Sequence, residues 1–245
     1  MPDISTASGT LVSIQVGKPT FYGSEEAIDP HDQAWTTGIY KYPVVGRVFV
    51  GRTNVAGDSQ ADLKHHGGID KAVLAYSADH YPHWRDELKN PAMPHGAFGE
   101  NLTIAGLSEE TVCIGDILRI GPVTFEASQP RQPCWKLARR WRMHELVAIV
   151  VRNGRSGWYL RVLEEGVIEA GMAVELIARP NPNWTMARAS YIMHFCANDR
   201  ALTLELADVP KLADSWVKEL RERGEHLMAA TQHDRIQSKN DLRGE

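Results

Sequence analysis

The sequence predicts a mainly β fold with inserted α-helices, a β-barrel or compact mixed-β domain, followed by a small three-helix segment. Three observations carry this expectation. Short runs rich in β-branched and apolar residues recur between glycine and proline breaks over residues 1–180. Helix-periodic stretches interrupt them after Ser77 and after Pro133. Beyond the break at Arg179-Pro180-Asn181-Pro182-Asn183 the pattern turns helical throughout, so a domain over 1–180, a helical segment over 184–230 and a polar tail over 231–245 are expected.

Taken in order, Ser8 to Gly17 holds Leu11, Val12, Ile14 and Val16 and reads as a strand. Gly23 to Gln33 is polar and reads as a loop, Thr37 to Lys41 as a short extended run, and Val44 to Val50 as a strand. Ala72 to Tyr76 predicts a short buried strand, with Ser77 as N-cap of a helix reaching about Leu88. After a break over Pro91 to Gly96, Leu102 to Ile104 is extended again. Val112 to Ile120 and Val123 to Ser128 flank Gly121-Pro122 and predict a hairpin, with Cys113 inside its first strand. Helices are expected over Trp135 to Trp141 and Met143 to Val151, and closing strands over Gly157 to Val162 and Ala173 to Ala178. Thr185 to Phe195, Arg200 to Leu206 and Ala213 to Leu227 predict the three terminal helices, followed by a frayed tail from Thr231.

A chain of 245 residues with 43% hydrophobic and 24% charged residues can bury a full core, and a net charge of −4 offers no field to draw in nucleic acid. No apolar run approaches the ~18 residues of a membrane span, and Met1 to Thr6 lacks the pattern of a secretory leader. Cys113, Cys134 and Cys196 form no CxxC pair and are odd in number, which suits a reducing compartment; a cytoplasmic protein is expected.

The chemistry concentrates at Ser128-Gln129-Pro130-Arg131-Gln132-Pro133-Cys134-Trp135-Lys136-Leu137. Two prolines stiffen the approach to Cys134, and Pro133 suits a helix start. A helix N-terminus with Arg131 and Lys136 nearby favours a thiolate, which is both a nucleophile and a soft metal ligand. A buried structural cysteine is the alternative. The second informative stretch runs from Gly57 to Lys71, where Gly67-Gly68 can form an anion-binding nest beside Asp58, Asp62 and His66. Asn101 offers an amide for a heterocycle edge or a turn cap, and Lys18 and Lys41 are phosphate-binding candidates or plain surface charges.

Gly57-Asp58-Ser59-Gln60-Ala61-Asp62, His66-Gly67-Gly68, Gly99-Glu100-Asn101-Leu102, Ile114-Gly115-Asp116 and Ser128 to Cys134 resemble, in this order, the MOSC domain of molybdenum cofactor sulfurases. The likeness is to the YiiM-type bacterial proteins with a helical C-terminal segment, and it covers roughly residues 8 to 230. The resemblance implies a β-barrel that binds the molybdenum cofactor, a molybdopterin, with Cys134 as metal ligand or sulfur carrier. It also implies reduction of N-hydroxylated bases such as 6-hydroxylaminopurine, a detoxifying activity. No flavin or haem segment is visible, so a separate reductase must donate electrons. Cofactor-binding candidates are then Lys18, Thr37, Lys41, Gly67, Gly68, Asn101 and Arg131, with Cys134, Asp58, Asp62 and His66 for catalysis. His65 and Cys113 fall outside the pattern.

Two other functions fit the same residues: a module carrying persulfide on Cys134, and a carrier that binds the cofactor without turnover. A zinc site from Cys113, Cys134 and His66 is a distant further possibility. The partners expected are the electron donor and a small-molecule base, with neither nucleic acid nor membrane. The terminal helices are expected to cover the barrel or to mediate assembly into a homo-oligomer.

Overall fold

The computed structural model describes residues 8–63 and 66–241. Met1 to Thr6, His65 and the last four residues of the polar tail lie outside the described residues. The strands are β1 (Ser8–Val16), β2 (Thr20–Tyr22), β3 (Trp35–Thr37), β4 (Tyr42–Pro43), β5 (Val48–Gly51), β6 (Asn54–Val55), β7 (Val73–Ser77), β8 (Leu102–Ala105), β9 (Ile117–Ile120), β10 (Val123–Pro130), β11 (Trp158–Glu164), β12 (Gly166–Ile168) and β13 (Ala173–Ala178). The helices are α1 (Tyr81–Glu87), α2 (Trp135–Arg140), α3 (Leu146–Asn153), α4 (Met186–Phe195), α5 (Arg200–Ala207) and α6 (Asp214–Asp241).

Seven strands close into a barrel in the order β1-β13-β9-β10-β11-β7-β8 and back to β1. Every pair in the ring is antiparallel except β7 with β8, which runs parallel with Ala75 opposite Leu102. Closure removes the exposed edges that an open sheet of this size would present. The expected barrel is therefore the observed fold. Alternate residues fill its interior, among them Leu11, Ile104, Leu118, Phe125, Leu160 and Val174, all at most 1% exposed. Met186, Ile192, Leu206, Trp216 and Leu220 from the terminal helices join the same apolar cluster.

Strand β7 is buried on both faces, as its unbroken apolar run requires. Val73 and Ala75 enter the barrel core, whereas Tyr76 belongs to a second core with Trp35, Trp84, Phe98, Leu137 and Val150. Tyr76 and Phe98 stack there at 4.6 Å and 7°. This second core seats α1, α2 and α3 outside the barrel wall and fixes the direction in which α2 starts.

Several local expectations change. The strand expected from Val112 begins only at Ile117, because Gly115 has φ +80° and the Asp116 carboxylate accepts the Cys113 amide at 2.9 Å, closing a turn. Cys113 is buried beside this turn, and burial pushes its thiol up to about 11. The strand expected over Val44 to Val50 becomes β5, Val48–Gly51, and the extended run expected over Thr37 to Lys41 is strand only at Thr37, the last residue of β3. Ser77 does cap, accepting the Asp79 amide at 3.3 Å, but it opens a single 3-10 turn before α1. Backbone helix continues through Asp241, where fraying was expected from Thr231. Among the described residues, no helix is long and apolar enough to cross a membrane.

Candidate functional site

The chain entering α2 and the loop after β6 meet over the end of the barrel and leave a cleft between them. Its empty volume is about 610 Å³, counting the mouth. Thr37, Lys41, His66, Gly67, Asn101, Arg131 and Cys134 all line it. Lys18, Asp58, Asp62 and Gly68 do not.

Strand β10 delivers Arg131 and Cys134. The Arg131 amide donates to the Gly157 carbonyl at 2.9 Å, which holds the chain against the barrel as it leaves the strand. Its guanidinium Nη2 donates to the Phe98 carbonyl at 3.2 Å. Nη1 is buried and has no hydrogen-bond partner among the described residues, although the residue is only 5% exposed. An unmet buried guanidinium donor is costly, and here it sits in a residue that lines the cleft. Cys134 occupies the N-cap position of α2 with extended backbone, φ −115° and ψ 165°, and its carbonyl accepts the Leu137 amide at 3.0 Å. All three cysteines are free thiols.

Two glycines bring backbone to the cleft in the left-handed region. Gly67 has φ +83°, and a Cβ there would lie 3.1 Å from Gln60 Oε1. Gly99 has φ +82°, and a Cβ would lie 3.1 Å from Ile39 Cγ1, another lining residue. Gly68 shares φ +83° but precedes the 3-10 turn Ile69–Lys71 and stands outside the lining.

Neither predicted acid is among the lining residues. Asp58 is 7% exposed, accepts the Gly17 amide at 2.8 Å and pairs with Lys41 Nζ. It therefore holds Lys41 at the cleft wall and does not reach the cleft itself. Burial pulls the Lys41 ammonium below the ordinary lysine range, against the opposing fields of Asp58 and Glu100. Asp62 contributes its carbonyl to the His66 amide at 3.0 Å. His66 does line the cleft, and burial, then Lys136 and Arg131, and more weakly Lys71, pull its imidazole down to about 4, against Asp62. It is uncharged near pH 7, so it can share a hydrogen bond but stores no proton to give.

Each end of the Asn101 amide already has a backbone partner: Oδ1 accepts from the Leu74 amide at 3.2 Å and Nδ2 donates to the Gln15 carbonyl at 3.3 Å. It stitches β7 to β1 while lining the cleft, and one N–H and one lone pair of the amide go beyond these two bonds. Lys18 is exposed and distant in role, its carbonyl accepting from Thr20 Oγ1. Cys113 stays outside the lining with its thiol toward the Pro182 carbonyl at 3.6 Å. Among the described residues no group of three or more His, Cys, Asp or Glu could hold a metal, so the zinc site of Cys113, Cys134 and His66 is not assembled.

Lining residues that sequence reasoning did not single out as cofactor contacts include Lys71, Lys136 and Tyr159. Lys71 lies 5.9 Å from the Tyr159 ring centroid. Burial raises the Tyr159 hydroxyl, with Arg131 opposing and Cys134 adding to the rise. The pleat of β11 carries the only advance signal for Tyr159, since Trp158, Leu160 and Val162 point into the barrel and leave 159 facing out.

Residues 62–175 match the MOSC domain family, and the chain is 38% identical over 219 residues to the uncharacterized protein YflK of Bacillus subtilis, covering 89% of this chain and 96% of that one. The chain belongs to the MOSC domain family. The MOSC barrel here also matches the crystal structure of YiiM from Geobacillus stearothermophilus, with a TM-score of 0.73, 36% identity, and coverage of 88% of this chain and 98% of that one. It is thus a YiiM-type MOSC protein, terminal helices included. A third MOSC relative, a Gibberella moniliformis protein named reductase, is 39% identical over 193 residues that span 77% of this chain and 34% of that longer one.

Proposed function

We propose that the cleft binds the molybdenum cofactor and that the protein reduces N-hydroxylated nucleobases, such as 6-hydroxylaminopurine, with electrons from a separate reductase. One observation carries this reading: a thiol, Cys134, shares the cleft with Arg131, whose Nη1 is buried without a partner among the described residues, and with Lys71 and Lys136. That donor set fits a pterin with a terminal phosphate and a sulfur-coordinated metal. A guanidinium and ammonium groups suit phosphate oxygens, and a thiol suits a soft metal.

When bound, the cofactor would supply two-electron redox chemistry. The reaction R–NHOH plus two electrons and two protons gives R–NH2 and water. Arg131, Lys71 and Lys136 would hold the phosphate, and Cys134 would anchor the metal. Asp58 acts only through Lys41, which it keeps in the wall. His66, neutral near pH 7, accepts a hydrogen bond, and the two protons come from solvent at the cleft mouth. The longer fungal relative is named reductase, which supports a redox role.

The test is turnover. Protein loaded with cofactor is given 6-hydroxylaminopurine and a chemically reduced viologen dye, and adenine is followed by chromatography. Adenine should form with the wild type and fall more than about 100-fold in Cys134→Ala, beyond the loss typical of residues that merely support a metal ligand. Loaded wild-type protein that makes no adenine would overturn the reductase. A labile extra sulfur on Cys134 in metal-free protein would favour persulfide transfer instead.

A further inference from the structure

Trp135 is the residue between two cleft-lining positions, Cys134 and Lys136, yet its side chain is 56% exposed. A large aromatic that opens a helix beside a functional thiol and is not covered by core needs a reason, since an indole gains most when both faces are packed. The ring is nonetheless held in place. Its centroid lies 5.5 Å from that of Trp35, inclined at 44°, and Trp35 is only 9% exposed within the second core.

Arg139, one turn further along α2, clamps the pair. Its guanidinium lies 4.6 Å from the Trp35 centroid and 5.9 Å from that of Trp135. It is itself fixed, with Nε donating to the His31 carbonyl at 3.2 Å and Nη2 donating to the Gln33 carbonyl. Strand β3 carries Trp35 and, two residues on, Thr37 of the cleft lining, so the support under Trp135 and the cleft wall are one element. The indole is preorganised on one side and open on the other. Preorganised aromatic surface of this kind binds planar ligands at little entropic cost.

We propose that Trp135 is a stacking platform for a planar nitrogen heterocycle at the mouth of the cleft, and that it gives the site its preference for ring-bearing substrates. The proposal rests on the reading of the substrate given above and deepens it. Trp135 does not itself line the cleft, but it stands between two lining residues and packs on Trp35, two residues from a third, Thr37, so a base stacked on it would sit at the rim of the cleft. The platform also divides the labour: the cations hold the cofactor, and the indole holds the base.

The full-length protein is titrated with adenine by calorimetry in wild type, Trp135→Phe and Trp135→Ala, with molybdenum per chain measured alongside. Adenine affinity should fall about tenfold in Trp135→Ala and stay within about threefold in Trp135→Phe, with metal content unchanged. In turnover, Trp135→Ala should raise KM for 6-hydroxylaminopurine about tenfold and leave kcat, while KM for the ringless N-methylhydroxylamine does not move. Wild type that fails to bind adenine, an alanine variant that binds it equally well, or equal changes in KM for both substrates would overturn the platform. Adenine binding that depends on Trp135 in a loaded protein without turnover would support the platform while removing the reductase.

Discussion

The two walls of the cleft use similar polar side chains in opposite ways. Behind one wall, outside the lining itself, the buried carboxylates Glu100 and Asp58 are already engaged. Glu100, 0% exposed, accepts from Tyr81 Oη, from the Gly96 and Phe98 amides at 2.6 and 3.1 Å and from Thr103 Oγ1 at 3.1 Å. Asp58 is spent on the Gly17 amide and Lys41. On the other wall the cations Lys136, Arg131 and Lys71 outweigh Asp62 in the field they impose on His66, and Arg131 Nη1 has no partner among the described residues. The first wall is scaffold, and the second carries the unmet capacity that a ligand would meet. An acid in a motif therefore marks chemistry only when its lone pairs are left over.

The largest effect should come from the scaffold wall. Glu100→Ala strips the shared acceptor from four donors and should cost about 4 kcal/mol in urea unfolding. A loss below about 1 kcal/mol would break the contrast. Asp58→Asn leaves Lys41 buried without its counter-charge and should cost about 3 kcal/mol, while metal content per folded chain changes little. The ligand wall should behave the other way round. Arg131→Met should lower stability by only about 1 kcal/mol, chiefly through the Phe98 bond, yet reduce cofactor retention at least about tenfold on desalting.

The smallest effect is a slope. The folded His66 imidazole sits at about 4 and its unfolded value is 6.5, so the unfolded chain binds the extra proton in that window. Stability from this residue is complete above pH 6.5 and declines toward pH 4. His66→Asn should flatten that decline in unfolding midpoints measured across the window, and bound phosphate analogue should make it smaller, raising its lower end by offsetting the repulsion from Arg131 and Lys136.

Strand runs were legible wherever burial imposes a pattern, as in β1, β7, β10 and β11, because alternation and apolar runs follow directly from the pleat. Closure was legible from pattern only as one of two options, a barrel or a compact mixed-β domain, and resemblance narrowed it to the barrel. Pairing of Ser8 with Glu175 joins segments far apart in the chain, and local pattern says nothing about such partners. At the site, Cys134, Arg131 and Lys41 could be picked out by type and context. Asp58 could not be assigned, since an acid in a glycine-rich turn reads the same whether it faces a cleft or ties down an amide. Lys71 reads in sequence as one more surface lysine, and only the 3-10 turn that follows Gly68 brings it to the lining.

The measurement that tests the central claim most directly is molybdenum and released pterin per chain, by elemental analysis and fluorescence, in protein purified from a host rich in the cofactor. Wild type and Cys134→Ala should be compared at equal folded concentration. Near-stoichiometric metal and pterin in the wild type, with metal lost from the variant, is the predicted result. Neither metal nor pterin in the wild type would contradict it.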